Sequence, residues 1–113
     1  MTTAAIRRYW TRLAARGCLI CGAPAEIAHA HGGSIVECMQ EPKAKGKKLP
    51  RYDWLALPLC PQHGREPYPH ALDTNVRAWE ARFGEQAWWI DRLCVEYGVC
   101  LWELAGINRR EAA

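Results

Sequence analysis

Residues 18–21 read Cys-Leu-Ile-Cys and residues 60–63 read Cys-Pro-Gln-His, so two pairs of candidate metal ligands each enclose two residues. Such a short loop lets both ligand atoms of a pair point at one ion, and two pairs supply the four ligands of tetrahedral zinc. The intervening chain must then fold back on itself. The predicted structural zinc ligands are Cys18, Cys21, Cys60 and His63. The alternative is a pair of buried thiols beside an unrelated surface histidine.

The rest of the composition is that of an ordinary globular protein. The 113 residues suit one domain, 1–113, and with 50% hydrophobic and 24% charged residues they exclude a disordered or fibrous chain. Six cysteines could form three disulfides, but the first residues carry arginines where a secretory signal would be apolar, and cytosolic thiols stay reduced. No stretch is apolar enough for a membrane span. A cytoplasmic location without a membrane partner is therefore expected.

Charge is distributed unevenly along the chain. Residues 1–52 carry a net charge of +6, whereas residues 53–113 carry −3. Five cations lie within nine residues of the segment 43–51, and this density can neutralise several phosphates of a nucleic acid. The predicted DNA-contacting residues are Lys43, Lys45, Lys47, Lys48 and Arg51, and the alternative is a solvated loop.

The first half of the chain predicts a helix followed by two strands. The helix is capped by Thr2 or Thr3, shows apolar residues at helical spacing and ends at Gly17. Residues 26–31 and 53–59 read as strands, separated by a turn at Gly32-Gly33 and a loop over 34–52. Pro58 indicates the edge or the end of the second strand.

The last third predicts helices. A helix capped by Asp73 reaches Phe83, a second helix spans 85–97, and residues 101–105 add one more turn. Apolar spacing places Cys94 in the core and makes core packing the expected role of three tryptophans, Trp79, Trp89 and Trp102. Base stacking or a protein contact remains open for Trp10, Trp54 and Trp88.

His29 and His31 lie between the two ligand pairs, in the segment Ala-Glu-Ile-Ala-His-Ala-His-Gly-Gly. On a strand both side chains would share one face, because side chains alternate. A histidine with an unperturbed pKa of about 6.5 is suited to general-base chemistry near neutral pH.

The sequence from about Arg16 to Leu93 resembles the phage recombination-enhancement (Ref-like) proteins, an HNH-related family described as RecA-dependent DNA nucleases. The resemblance rests on R-G-C-L-I-C-G-A-P-A-E-I, the A-H dipeptide, K-A-K-G-K-K, D-W-L-A-L-P-L-C-P-Q-H, the later His70, and R-A-W-E-A-R-F-G-E-Q, in that order. It implies a small α+β fold: a zinc-stapled β-hairpin of the ββα-metal (HNH-like) type, flanked by an N-terminal helix and C-terminal helices.

The resemblance also implies site residues. Cys18, Cys21, Cys60 and His63 fall on the structural zinc ligands of the family. His29 falls on the general base, and Asp53 on the residue that orients this base. His70 falls on a histidine that can approach the active centre.

Two positions depart from the family pattern. Ala28 and Gly64 stand where the family has histidines that bind a catalytic Mg²⁺ or Mn²⁺, and neither residue offers a ligand atom. His31 and His70 are the candidate replacement ligands. The expected function is metal-dependent DNA cleavage linked to recombination in a bacterial host cell, with a RecA-type recombinase or another host protein as partner. The alternative is a catalytically inactive zinc protein that binds DNA or protein, and a zinc-ribbon adaptor unrelated to nucleases would explain the metal ligands alone.

Overall fold

The computed structural model describes residues 3–37, 53–65 and 67–107. These residues form a small α+β arrangement of one antiparallel pair of strands and several helices, as expected. In chain order the elements are α1 (Ala4–Arg16), β1 (Glu26–His29), α2 (Gly33–Glu37), β2 (Ala56–Leu59), α3 (Pro61–Gly64), α4 (Val76–Phe83), α5 (Gln86–Tyr97) and α6 (Leu101–Leu104). Among the described residues, no helix combines the length and apolar composition needed to cross a bilayer.

Helix α1 has the predicted ends. The Thr3 hydroxyl accepts a hydrogen bond from the Ile6 amide at 3.2 Å, which satisfies one free N–H of the first turn. Gly17 ends the helix at a φ of 93°, a value that favours glycine. Ile6, Tyr9 and Leu13 are buried on one face of α1, which packs on both strands.

The two strands form the centre of the molecule. Glu26 pairs with Leu59 and His29 pairs with Ala56, so the last residue of β1 lies opposite the first residue of β2. All four residues of β2 are buried. Helices from both ends of the chain cover this hairpin, and the core includes Leu13, Leu57, Leu59, Trp79, Ile90, Leu93, Leu101 and Trp102.

Strand β1 is shorter than predicted, because it ends at His29 and not at residue 31. Beyond it, the Gln86 side chain accepts a hydrogen bond from the His31 amide at 2.9 Å and donates one to the His31 carbonyl at 2.8 Å. The backbone of His31 is therefore satisfied by α5 and not by a neighbouring strand. Strand β2 is also shorter than the predicted 53–59, since it begins at Ala56.

The predicted loop over 34–52 was wrong at its start, where residues 33–37 form α2. A carboxylate on another helix stabilises this turn, because Glu80 accepts hydrogen bonds from the Ser34 amide at 3.1 Å and from the Ser34 hydroxyl at 2.5 Å. Residues 38–52 lie outside the described part of the chain, so the remainder of the predicted loop and Cys38 are outside it too.

The C-terminal helices were predicted well except at one cap. Asn75, not Asp73, caps α4, and its side chain accepts a hydrogen bond from the Ala78 amide at 3.0 Å. Gly84 and Gly98 end α4 and α5 as expected.

Burial separates the tryptophans largely as predicted. Two are buried (Trp79, Trp102), three are half-buried (Trp10, Trp54, Trp89) and Trp88 is exposed. Cys94 is only half-buried, and its Sγ accepts a hydrogen bond from the Leu101 amide at 3.3 Å.

Candidate functional site

Cys18, Cys21, Cys60 and His63 come together as the spacing predicts. Their candidate ligand atoms all lie within 4.8 Å of one another. The Cys21 and Cys60 sulfur atoms are 3.6 Å apart, and His63 Nδ1 lies 3.1 Å from Cys60 Sγ and 3.8 Å from Cys18 Sγ. Tetrahedral zinc with Zn–S bonds of about 2.3 Å places its sulfur ligands roughly 3.8 Å apart. The four side chains thus form a possible metal site whose size and donor types are consistent with zinc.

Short backbone turns position both ligand pairs. After α1, the Cys18 amide donates to the Ala23 carbonyl at 2.8 Å and the Gly22 amide donates to the Cys18 carbonyl at 2.9 Å, which closes the first turn. The Leu19 amide then donates to the Pro58 carbonyl of β2 at 2.9 Å. This last bond ties the first ligand pair to the strand that leads directly into the second pair.

The surroundings of Cys60 and His63 shift the ionisation of both side chains. Burial raises the pKa of the Cys60 thiol, and the neighbouring sulfur atoms of Cys21 and Cys18 raise it further. Burial also lowers the pKa of His63, with help from the positive charges of His70 and Arg82, so the neutral imidazole that can ligate a metal is favoured. Both burial and the neighbouring sulfur atoms disfavour the Cys60 thiolate, and a bound cation would stabilise it.

A histidine–aspartate pair lies at the end of β1. His29 Nε2 and Asp53 Oδ1 are 3.0 Å apart, and 25% and 32% of the two side chains are exposed. The Trp10 indole N–H donates to the Asp53 carbonyl at 2.9 Å, and its ring meets the His29 ring edge-on at 5.5 Å. Trp10 therefore holds both members of the pair, a role that sequence spacing gave no signal for.

The other two predicted ion ligands lie in different surroundings. His31 Nε2 is 2.9 Å from Asp73 Oδ1, a partner that the sequence suggested only as a helix cap. His70 is exposed and lies close enough to His63 to affect its pKa. Within residues 3–37, 53–65 and 67–107, the four-ligand cluster is the only group of three or more His, Cys, Asp or Glu side chains that could hold an ion.

The positions of Ala28 and Gly64 are neighbours in space. A Cβ atom built on Gly64 would lie 3.6 Å from the Ala28 Cβ and 3.1 Å from the Leu59 Cβ. The second distance is tighter than ordinary packing, so the glycine allows α3 to approach the hairpin closely. Neither residue offers a ligand atom, and the residues present do not fit the catalytic ion that the resemblance implies.

The predicted DNA-contacting residues Lys43, Lys45, Lys47, Lys48 and Arg51 all lie outside the described part of the chain. No family model, curated protein or solved structure matches this sequence. The function is therefore inferred from the geometry of the four-ligand cluster and of the histidine–aspartate pair.

Proposed function

We propose that this chain is a zinc-stabilised DNA-processing protein of the ββα-metal (HNH-like) type, in which His29 is the general base of phosphodiester hydrolysis. The observation that carries the proposal is the 3.0 Å contact between His29 and Asp53 at the end of a hairpin strand. This strand follows the first ligand pair, and its partner strand leads directly into the second. A zinc-ribbon adaptor would need the four metal ligands but no histidine–aspartate pair.

The pair can perform the proton transfer that hydrolysis needs. An ionised carboxylate only accepts hydrogen bonds, so Asp53 fixes the hydrogen on Nε2 and leaves the Nδ1 lone pair of His29 free. Nδ1 takes a proton from water, the resulting hydroxide forms a bond to phosphorus, and the bond to the leaving oxygen breaks as that oxygen takes a proton from solvent. Trp10 positions both residues by contacting the ring of one and the carbonyl of the other.

A divalent ion would supply charge stabilisation on the phosphate in this type of enzyme. Because Ala28 and Gly64 carry no donor atoms, no step is assigned to such an ion here. This feature favours a second candidate function, a catalytically inactive zinc protein that binds DNA or a host protein. The close packing of Gly64 on Leu59 and Ala28 is the specific observation behind it.

A cleavage assay separates the two candidates. The zinc-loaded protein is incubated with labelled single-stranded DNA and supercoiled duplex DNA, with Mg²⁺ or Mn²⁺, and with or without a RecA-type filament. Under hydrolysis, His29→Ala is expected to lower the rate by about 10²–10⁴-fold, the usual contribution of a general base. Glu103→Gln, which changes an exposed side chain outside both the pair and the four-ligand cluster, is the control and should keep activity.

The outcomes point in different directions. Cleavage that persists in His29→Ala would refute the assignment of the base. DNA binding without cleavage under every condition would instead support the inactive binding protein, and dependence on the filament would identify a recombinase as partner.

A further inference from the structure

A small cavity opens between α1 and the C-terminal end of α5. Its volume is about 290 Å³, at the small end of ligand pockets. Three aromatic residues and two arginines are among its lining residues, and we call this cavity the aromatic pocket: Arg8, Tyr9, Arg12, Trp54 and Tyr97.

The rings of the aromatic pocket form a partly open apolar surface. Tyr9 is buried, with 6% of its surface exposed, and forms the base of the group. Its ring centre lies 5.7 Å from that of Trp54 and 5.4 Å from that of Tyr97. Trp54 is only half-buried, so part of its ring is available to a flat ligand, whereas the half-buried Tyr97 ring is covered by the Arg12 guanidinium.

The charge at the rim of the pocket is positive. Arg8 and Arg12 are exposed one turn apart on α1, and neither belongs to any ion pair among the described residues. Arg16, one turn further on, contrasts with them because it is paired with Glu96 at 2.7 Å. The Arg12 guanidinium lies 4.7 Å from the centre of the Tyr97 ring, which holds its charge beside the aromatic surface.

Residues of the aromatic pocket are neighbours in the chain of residues that form the proposed catalytic pair. Trp54 follows Asp53 directly in the chain, and Asp53 contacts His29. On the α1 side, Arg8 and Tyr9 of the pocket immediately precede Trp10, which donates to the Asp53 carbonyl.

We propose that the aromatic pocket binds one unstacked nucleotide of single-stranded DNA, with the base against Trp54 and the phosphate at Arg8 and Arg12. The inference rests on the proposed function, because it takes DNA as the ligand. Every base has a π-face that stacks on aromatic side chains, and arginine pairs well with phosphate. The small cavity has room for a single base. A base that is paired within a duplex cannot enter it.

The test measures binding of the full, zinc-loaded chain to a fluorescently labelled oligothymidylate by anisotropy at several salt concentrations. The double variant Arg8→Ala/Arg12→Ala is compared with Arg7→Ala/Arg77→Ala, which removes two exposed arginines outside the pocket. If both pocket arginines contact phosphate, the slope of log K against log salt becomes smaller by about 1.4, since each contact on single-stranded DNA contributes about 0.7. The control variant should keep the wild-type slope.

A second variant tests the aromatic part of the pocket. Trp54→Ala is expected to weaken binding about tenfold or more, as loss of a stacked base does elsewhere, and Trp54→Phe should retain most of the affinity. Zinc content and circular dichroism establish that each variant is folded. Wild-type protein should also bind the oligothymidylate more tightly than a duplex of equal length.

Three results would overturn the proposal. These are equal salt slopes for the pocket and control variants, affinity that Trp54→Ala leaves unchanged, and wild-type protein that binds no single-stranded DNA. The His29→Ala variant separates this proposal from the hydrolysis proposal, because it removes the base and leaves the pocket intact. If His29→Ala still binds single-stranded DNA and neither the wild type nor any variant cleaves it, the pocket proposal is supported and the hydrolysis proposal is refuted.

Discussion

Replacing Cys21 by serine is expected to lower the free energy of unfolding by about 4 kcal/mol. The magnitude follows from the loop that the metal site closes, since Cys21 and Cys60 are 39 residues apart in sequence. Cross-linking a loop of this length removes roughly 4 kcal/mol of chain entropy from the unfolded state in the loop-closure relation, and metal clips act in the same way. Small domains have only about 5–15 kcal/mol in total. At roughly 4 °C per kcal/mol for a chain of this size, the melting temperature should fall by about 15 °C.

The measurement is thermal unfolding followed by circular dichroism, together with the zinc content of the purified protein. Cys100→Ser is the matched control, because Cys100 is also exposed and free but lies outside the cluster. Wild-type protein should hold about one zinc per chain and should be destabilised by a chelator, as structural zinc proteins are. If Cys21→Ser retains its zinc and melts with the Cys100→Ser control, the cluster is not a metal site that stabilises this fold.

Three further predictions concern stability. Tyr9→Phe should raise the free energy of unfolding by about 1 kcal/mol in a urea titration, because the Tyr9 hydroxyl is buried without a hydrogen-bond partner among the described residues. Burial also raises the pKa of the Tyr9 hydroxyl, so on raising the pH the unfolded chain loses this hydroxyl proton before the folded chain does. The stability of the wild-type protein should therefore fall as the pH rises above about 10, and this fall should be smaller in Tyr9→Phe. Glu80→Gln should lower the free energy of unfolding by about 2–3 kcal/mol in the same assay, because the Glu80 carboxylate accepts hydrogen bonds from the Ser34 amide and the Ser34 hydroxyl. An equal loss of stability in the control Glu103→Gln, at an exposed position, would contradict this reason. The Arg16 guanidinium lowers the pKa of Glu96, so this ion pair stabilises the fold at pH values above the ordinary glutamate pKa. The contribution is lost as the pH falls through the lowered pKa. In an acid titration, Glu96→Gln should therefore be slightly less stable than wild type near neutral pH, and this difference should disappear at low pH.

The features that the sequence predicted are those encoded within a few residues. Thr3 and Gly17 define the ends of α1 through hydrogen bonds and backbone angles in their own turns. The ligand pairs were found for the same reason, because two intervening residues constrain both ligand atoms whatever the rest of the chain does. The glycines that end α4 and α5, Gly84 and Gly98, are local signals as well.

The features that the sequence did not predict depend on residues far away in the chain. Strand β1 ends early because Gln86 binds the backbone of His31 across 55 residues. Helix α2 forms where a loop was expected because Ser34 is hydrogen-bonded to Glu80, which lies 46 residues further along the chain. Asp73 has the residue type of a helix cap, but its carboxylate pairs with His31. No periodicity or motif records such contacts.

The candidate site shows the same division. The pairing of His29 with Asp53 was expected from the resemblance, and the structure has this contact at 3.0 Å. The part of Trp10 in holding the pair depends on how α1 lies across the hairpin, which no local pattern specifies.

The separation of the two ligand pairs also orders events during synthesis of the chain. Cys18 and Cys21 are made first, and Cys60 follows 39 residues after Cys21. At about 5–20 residues per second, a ribosome needs roughly 2–8 seconds to make that segment. During this interval a nascent chain offers only half of the metal site, and β1 has no partner strand. Strand pairing therefore waits for β2, and complete metal capture waits for Cys60 and His63 directly after it.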